Sequence, residues 1–175
     1  MDTSSSSMSR HSRSGRAGPK SRLVVVCLGS SRMGDDSVGL AVARALRAKR
    51  SEPELEVHAL PELDLSLIEI LEGARRVILV DALKSGKRPG TVSKYRVSTR
   101  GEPGLSLPSL HGIPLTELFK LAGDAGLLDC PVVVIGIEPR DCGPGKPLSQ
   151  EVKSAIPSAV DLVLSAMEER PSDVN

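Results

Sequence analysis

Residues 22–46 read RLVVVCLGSSRMGDDSVGLAVARAL. After Arg22 the run LVVVCL is apolar and stops at Gly29, which predicts a strand buried on both faces. From Ser37 to about Lys49, Val38, Ala41, Val42, Ala45 and Leu46 recur at helical spacing and predict a helix. A buried strand passing through a short loop into an amphipathic helix is the first unit of an α/β sheet. Ligands of open sheets of this kind gather beyond the carboxyl ends of the strands, which is where Asp35 and Asp36 fall. The loop GSSRMG has neither GxGxxG spacing nor the GK[ST] ending of a phosphate-binding loop, and two carboxylates would repel a phosphate. The same charges favour a cation.

Outward from this unit, strand-like and helix-like segments alternate. ELEVHAL (54–60) predicts a strand, LSLIEILEG (65–73) a helix ending at Gly73, and RVILVDAL (76–83) a second buried strand finishing at Asp81. GKRPGTVSKYRV (86–97) predicts a Pro-Gly turn and a half-exposed edge strand. The loop STRGEPGLSLPSLHGIP (98–114) leads to a helix near 115–125, and PVVVIGIE (131–138) predicts a third buried strand. After the loop PRDCGPGKP, Ser149 is placed to cap a last helix running to about Glu169, with Pro157 expected to kink or divide it. The expectation is a three-layer α/β sandwich: a twisted, mostly parallel sheet of about five strands with helices on both faces. Its single domain would span 22–170. Residues 1–21, Ser- and Arg-rich, are expected to be a disordered extension, and 171–175 a flexible terminus.

The composition narrows the function. With no Trp, one Tyr and one Phe, the core must be aliphatic, and single-stranded nucleic acid has no aromatic platform to stack on. A formal net charge of +1 argues against nucleic acid or an acidic membrane as partner, and no apolar run approaches the ~20 residues of a membrane span. Cys27, Cys130 and Cys142 have unrelated spacings, which suggests neither a disulfide framework nor a zinc ribbon but reduced thiols in a cytoplasmic protein.

Three features fall at strand ends or in the long loop: the pair Asp35 and Asp36, Asp81, and His111. Carboxylates with one imidazole suit a borderline divalent metal. Plainer readings exist for each. One aspartate can cap the helix, which leaves the second unexplained. Asp81 can be a turn residue and His111 a plain loop residue. His58 reads as an ordinary strand residue, and His11 belongs to the N-terminal extension.

Four motifs, in order, resemble those of the hydrogenase maturation proteases: LGSSRMGDDSVGLAVARAL (28–46), LEGARRVILVDAL followed by PGTV, SLHGIPLTELFKLA (109–122), and VVVIGIEP followed by LSQEVKSAIPSAVDLVLSAM. The resemblance covers about Leu23 to Met167. It implies an endopeptidase that trims the C-terminal extension of a nickel–iron hydrogenase large-subunit precursor after nickel insertion. It further implies Asp36, Asp81 and His111 as a metal-binding triad, with Asp36 and Asp81 also catalytic, by an aspartic-type or metal-assisted route. Gly29, Ser30, Gly34, Asp35 and Gly39 would form the supporting loop. Nickel would arrive with the precursor, no organic cofactor is implied, and a monomer is the expectation.

Two positions depart from the family pattern: Ser30 stands where it has Asn and Ser37 where it has Gly. A small change of loop geometry is expected at Ser30, and at Ser37 a backbone angle that serine tolerates poorly. These departures motivate an alternative, a non-catalytic metal-sensing or chaperone-like module that binds the precursor without cutting it. A flavodoxin-like small-molecule binder is a third option, opposed by the acidic first loop.

Overall fold

The structure, a computed structural model, describes residues 22–49, 55–61, 66–97, 115–126, 128–130 and 132–169. The N-terminal extension (1–21), the C-terminal residues 171–175 and the whole loop 98–114 with His111 lie outside the described residues. The strands are β1 (Arg22–Leu28), β2 (Leu55–Leu60), β3 (Ala74–Ala82), β4 (Val92–Val97) and β5 (Val132–Ile137). They form one sheet in the order β2-β1-β3-β5-β4. All neighbours run parallel except β4, which lies antiparallel to β5; it is the half-exposed edge strand that its alternating pattern predicts. The helices are α1 (Val38–Lys49), α2 (Ser66–Leu71), α3 (Leu115–Asp124) and α4 (Gln150–Glu168).

Alternate side chains of each strand point to opposite faces, and the two faces have separate cores. On one, Val25 and Cys27 of β1, Ile78 and Val80 of β3 and Ile135 of β5 pack under Val42 and Leu46 of α1 and Val160 and Val163 of α4. On the other, Val24, Val26, Leu79 and Val134 pack under Leu67 and Leu71 of α2 and Phe119 and Ala122 of α3. Helices therefore cover both faces, and the core is aliphatic except for Phe119. Each fully buried Leu, Ile or Val contributes ~1.5–3 kcal/mol relative to its exposed state. Cys27 is wholly buried, and burial pushes its thiol up to about 12. Cys130 is half-buried.

Two arginines tie the amino ends of the strands. Buried Arg76 donates to the carbonyl of Ala166 in the last turn of α4, where a cation also complements the helix dipole. Arg22 holds Glu56 of β2 through both carboxylate oxygens, at 2.6 and 2.7 Å, and donates to Glu72 O at 2.7 Å. His58 is a strand residue beside that pair, 3.4 Å from Glu56. Pro157 does not divide α4, which runs through it for 19 residues.

The chain order sets the site. From β1 it moves outward to β2, then returns past β1 to β3 and continues to the other side. The winding reverses between β1 and β3, so the crevice of this fold opens beyond their carboxyl ends.

Candidate functional site

After Leu28 the chain turns sharply. Gly29 N donates to Leu60 O at 3.0 Å, which fastens the loop to the end of β2, and Met33 N donates to Ser30 O at 3.1 Å. A short 3-10 helix, Gly34–Ser37, follows and packs against β3. It turns Asp36 back over the end of β1, where the carboxylate Oδ2 accepts the N–H of Ser30 at 2.8 Å. Asp36 is 5% exposed. Asp81, second from the end of β3, is wholly buried and its Oδ1 accepts the N–H of Ala82 at 2.8 Å. Two acidic side chains thus sit, nearly dry, at the carboxyl ends of neighbouring strands, and the turn carrying one packs on the strand carrying the other.

Asp35 faces another way. It is wholly buried and accepts four hydrogen bonds from the far end of the chain: Arg140 N at 2.9 Å, Asp141 N at 3.0 Å, Ser149 N at 2.6 Å and Ser149 Oγ at 2.9 Å. Its own N–H donates to Asp141 O at 2.9 Å. Burial pushes its carboxyl up, but these donors from Ser149, Asp141 and Arg140 outweigh it and hold the group below the usual aspartate range. Asp35 is a brace between the first loop and the loop after β5. No side chain caps its own 3-10 turn. Ser149 occupies the N-cap position of α4, but its hydroxyl does not bond the helix amides; it donates to Asp35 instead.

The glycines of the motif are required by close approach. A Cβ on Gly39 would lie 1.9 Å from Leu28 O, so α1 could not seat on β1 with any larger residue. Gly34 has φ +50°, and a Cβ there would lie 2.5 Å from Asp141 O. The expected difficulty at Ser37 is absent: no residue other than glycine has positive φ among the described residues, and the Ser37 hydroxyl donates to Gly34 O at 2.7 Å. At position 30 it is the backbone N–H that holds Asp36, a contact any residue but proline can make. The two departures that motivated a non-catalytic module therefore leave the loop intact.

Sequence reasoning overlooked Glu138, just past β5. It is 6% exposed and accepts Ser85 Oγ at 2.6 Å, Ser85 N at 2.9 Å and Gly86 N at 3.1 Å. Burial pushes its carboxyl up, but the Ser85 hydroxyl and the backbone donors prevail, so it stays below the usual glutamate range. Glu138 braces the loop after β3 as Asp35 braces the loop after β1. The signal was an acidic residue closing VVVIGI as Asp81 closes VILV. Half-buried Cys142, in the loop that Asp35 holds, lies within electrostatic reach of Asp36.

The fold and the paired strand-end carboxylates define an α/β protein built around an acidic crevice at its switch point. The family model for hydrogenase maturation protease (HycI) matches residues 40–166, and the chain belongs to that family of peptidases. Among its relatives, protein FrxA of Pyrococcus furiosus is 33% identical over 144 residues, covering 78% of this chain and 98% of that protein. The hydrogenase 3 maturation protease of Escherichia coli K12 is 31% identical over 136 residues, covering 76% and 83%. Of solved structures, the hydrogenase 2 maturation peptidase from Thaumarchaeota archaeon SCGC_AB-539-E09 superposes with a TM-score of 0.65 at 30% identity, covering 84% of this chain and 98% of that one. The hydrogenase maturating endopeptidase HybD of E. coli gives 0.70 at 21% identity, covering 83% and 91%, a likeness of fold.

Proposed function

We propose that the protein removes the C-terminal extension of a nickel–iron hydrogenase large-subunit precursor after nickel insertion, with Asp36, Asp81 and His111 as the residues that meet the metal. The observation that carries this reading is the burial of Asp36 and Asp81 together at the switch point. Carboxylates cost free energy when taken from water, and a fold retains them in a dry crevice where a cation or a reaction uses them. Oxygen donors plus one imidazole suit a borderline divalent ion, and nickel is the ion such a precursor carries as part of the substrate. His111 is the imidazole that the SLHGI motif supplies.

In this reading the ion supplies Lewis acidity and an anchor that places the scissile bond by proximity. The chain's own groups do the rest. The Ser30 N–H fixes one oxygen of Asp36 at the end of β1. A carboxylate held in this way is placed to take a proton from water as general base. Asp35 and Glu138, engaged by backbone donors, hold the loops in register and take no part in proton transfer. No helix among the described residues is long and apolar enough to cross a membrane, and a reaction on a newly made precursor belongs in the cytoplasm. His111→Ala tests the triad: processing of nickel-loaded precursor is lost while the far-UV and thermal profiles match the parent. Normal processing by His111→Ala refutes the assignment.

A further inference from the structure

The sheet ends in two edge strands, β2 and β4, and they are left in different states. At the β2 edge a side chain engages the backbone: Arg47 Nη2 donates to Val57 O at 2.8 Å. At the other edge, β5 is the only strand that pairs with β4 among the described residues. Glu138 N donates to Thr91 O at 2.9 Å, and an antiparallel ladder bonds at every second residue. By that alternation Ser93 and Tyr95 bond to β5, while Val92 and Lys94 turn their N–H and C=O groups to the open side. A row of outward backbone groups is a template for a further strand.

A groove of about 520 Å³ lies beside this edge. Pro89, Gly90 and Val92 line it from the start of β4 and the turn before it, and Ser154, Ser158 and Leu162 line it from α4. Gly90 has φ +80°, and a Cβ there would lie 2.6 Å from Glu151 O, so the turn seats directly on α4 and fixes the head of the groove. That head is level with the carboxyl end of β5, since Val92 pairs with Ile137 and Gly90 N donates to Glu138 O at 2.8 Å. β4 therefore starts on the crevice side of the sheet and runs away from it. The charged lining residue, Glu151, is paired with Arg140, so the groove offers small hydroxyl and aliphatic surface.

We propose that the precursor's C-terminal extension adds to the open edge of β4 as an extended strand; this rests on the function proposed above. A peptidase has to hold a length of peptide, and the extension is the part of such a precursor with a free end, able to pass down a sheet edge. It begins after the scissile bond, at the crevice, and so runs parallel to β4. Its backbone bonds to Val92 and Lys94, and its alternate side chains, small or aliphatic, enter the groove beside Ser154 and Ser158.

The test compares processing of two nickel-loaded precursors, one with its whole extension and one with the extension cut to about three residues. The parent processes the first with a kcat/KM roughly tenfold higher. Ser158→Trp fills the groove from an exposed helix position. It brings the whole-extension precursor down to the level of the short one, which it cuts as the parent does. Lys153→Trp, exposed on α4 outside the groove, changes either rate by no more than about twofold. Synthetic extension peptide slows amide exchange at Val92 and Lys94 and leaves Ser93 and Tyr95 as they were. No discrimination by the parent, equal slowing of both precursors by Ser158→Trp, or unmoved exchange at Val92 and Lys94 overturns the docking. So does a dimer of the parent that Ser158→Trp dissolves, which makes the groove the seat of a second copy. Any of these results with cleavage intact overturns the docking alone. A parent that cuts neither precursor overturns the docking and the function beneath it.

Discussion

The Asp36 carboxylate accepts the Ser30 N–H at the end of β1, while Asp35 beside it accepts from Arg140, Asp141 and Ser149. Asn at 36 keeps an acceptor for Ser30 but loses the charge. Asp36→Asn should therefore cut processing by roughly 10²–10⁴ and leave the urea midpoint nearly unchanged. Asp35→Asn should do the reverse in kind. It turns an amide group toward donors already pointing at the site and should cost about 2–4 kcal/mol in urea unfolding, against about 1 kcal/mol for Ser149→Ala. A loss below about 0.5 kcal/mol for Asp35→Asn would remove its bracing role. The strand-end rule made the positions of the Asp35–Asp36 pair and of Asp81 legible in the sequence, because they follow from local pattern, while the choice of Asp36 over Asp35 rested on the family resemblance. The resemblance placed Asp35 in the supporting loop, but its partners were not legible: they lie 105 to 114 residues away, and only the folded sheet brings them together.

Among the elements, the buried runs of β1, β3 and β5 and the half-exposed β4 were readable because burial on two faces or one leaves a different period of apolar residues. The order β2-β1-β3-β5-β4 was not, since no local pattern encodes which strand lies beside which. Nor was the seating of α1, which depends on the Gly39–Leu28 approach. Gly39→Ala places a methyl 1.9 Å from a backbone oxygen that cannot yield without moving the strand. It should cost more than about 3 kcal/mol or abolish soluble expression. Gly86→Ala, with φ +80° but open space around it, should cost only about 1–2 kcal/mol. Equal melting temperatures for the two variants would contradict this account of how the first loop is held against the sheet.

For the whole molecule, the carboxyls of Asp35 and Glu138, and the Arg22-bonded Glu56 at about 2, are held below their ordinary values in the folded state. Unfolding at low pH releases them to ordinary values near 4, so the unfolded chain binds more protons. Their contribution is present in full above about pH 5 and is lost as pH falls through the folded values. Urea midpoints should be flat from pH 7 to about 5 and fall steadily below 4, with a shallower fall in Asp35→Asn. The same scale carries the function, since the crevice and its braces come from loops that only the complete sheet assembles.

The central claim is proteolysis directed by this crevice, and the intact mass of a nickel-loaded large-subunit precursor tests it most directly, before and after incubation with the protein. The account predicts one discrete loss from the C-terminus that disappears with Asp36→Asn. An unchanged mass in a stable complex, or cleavage that persists undiminished in Asp36→Asn, would contradict it.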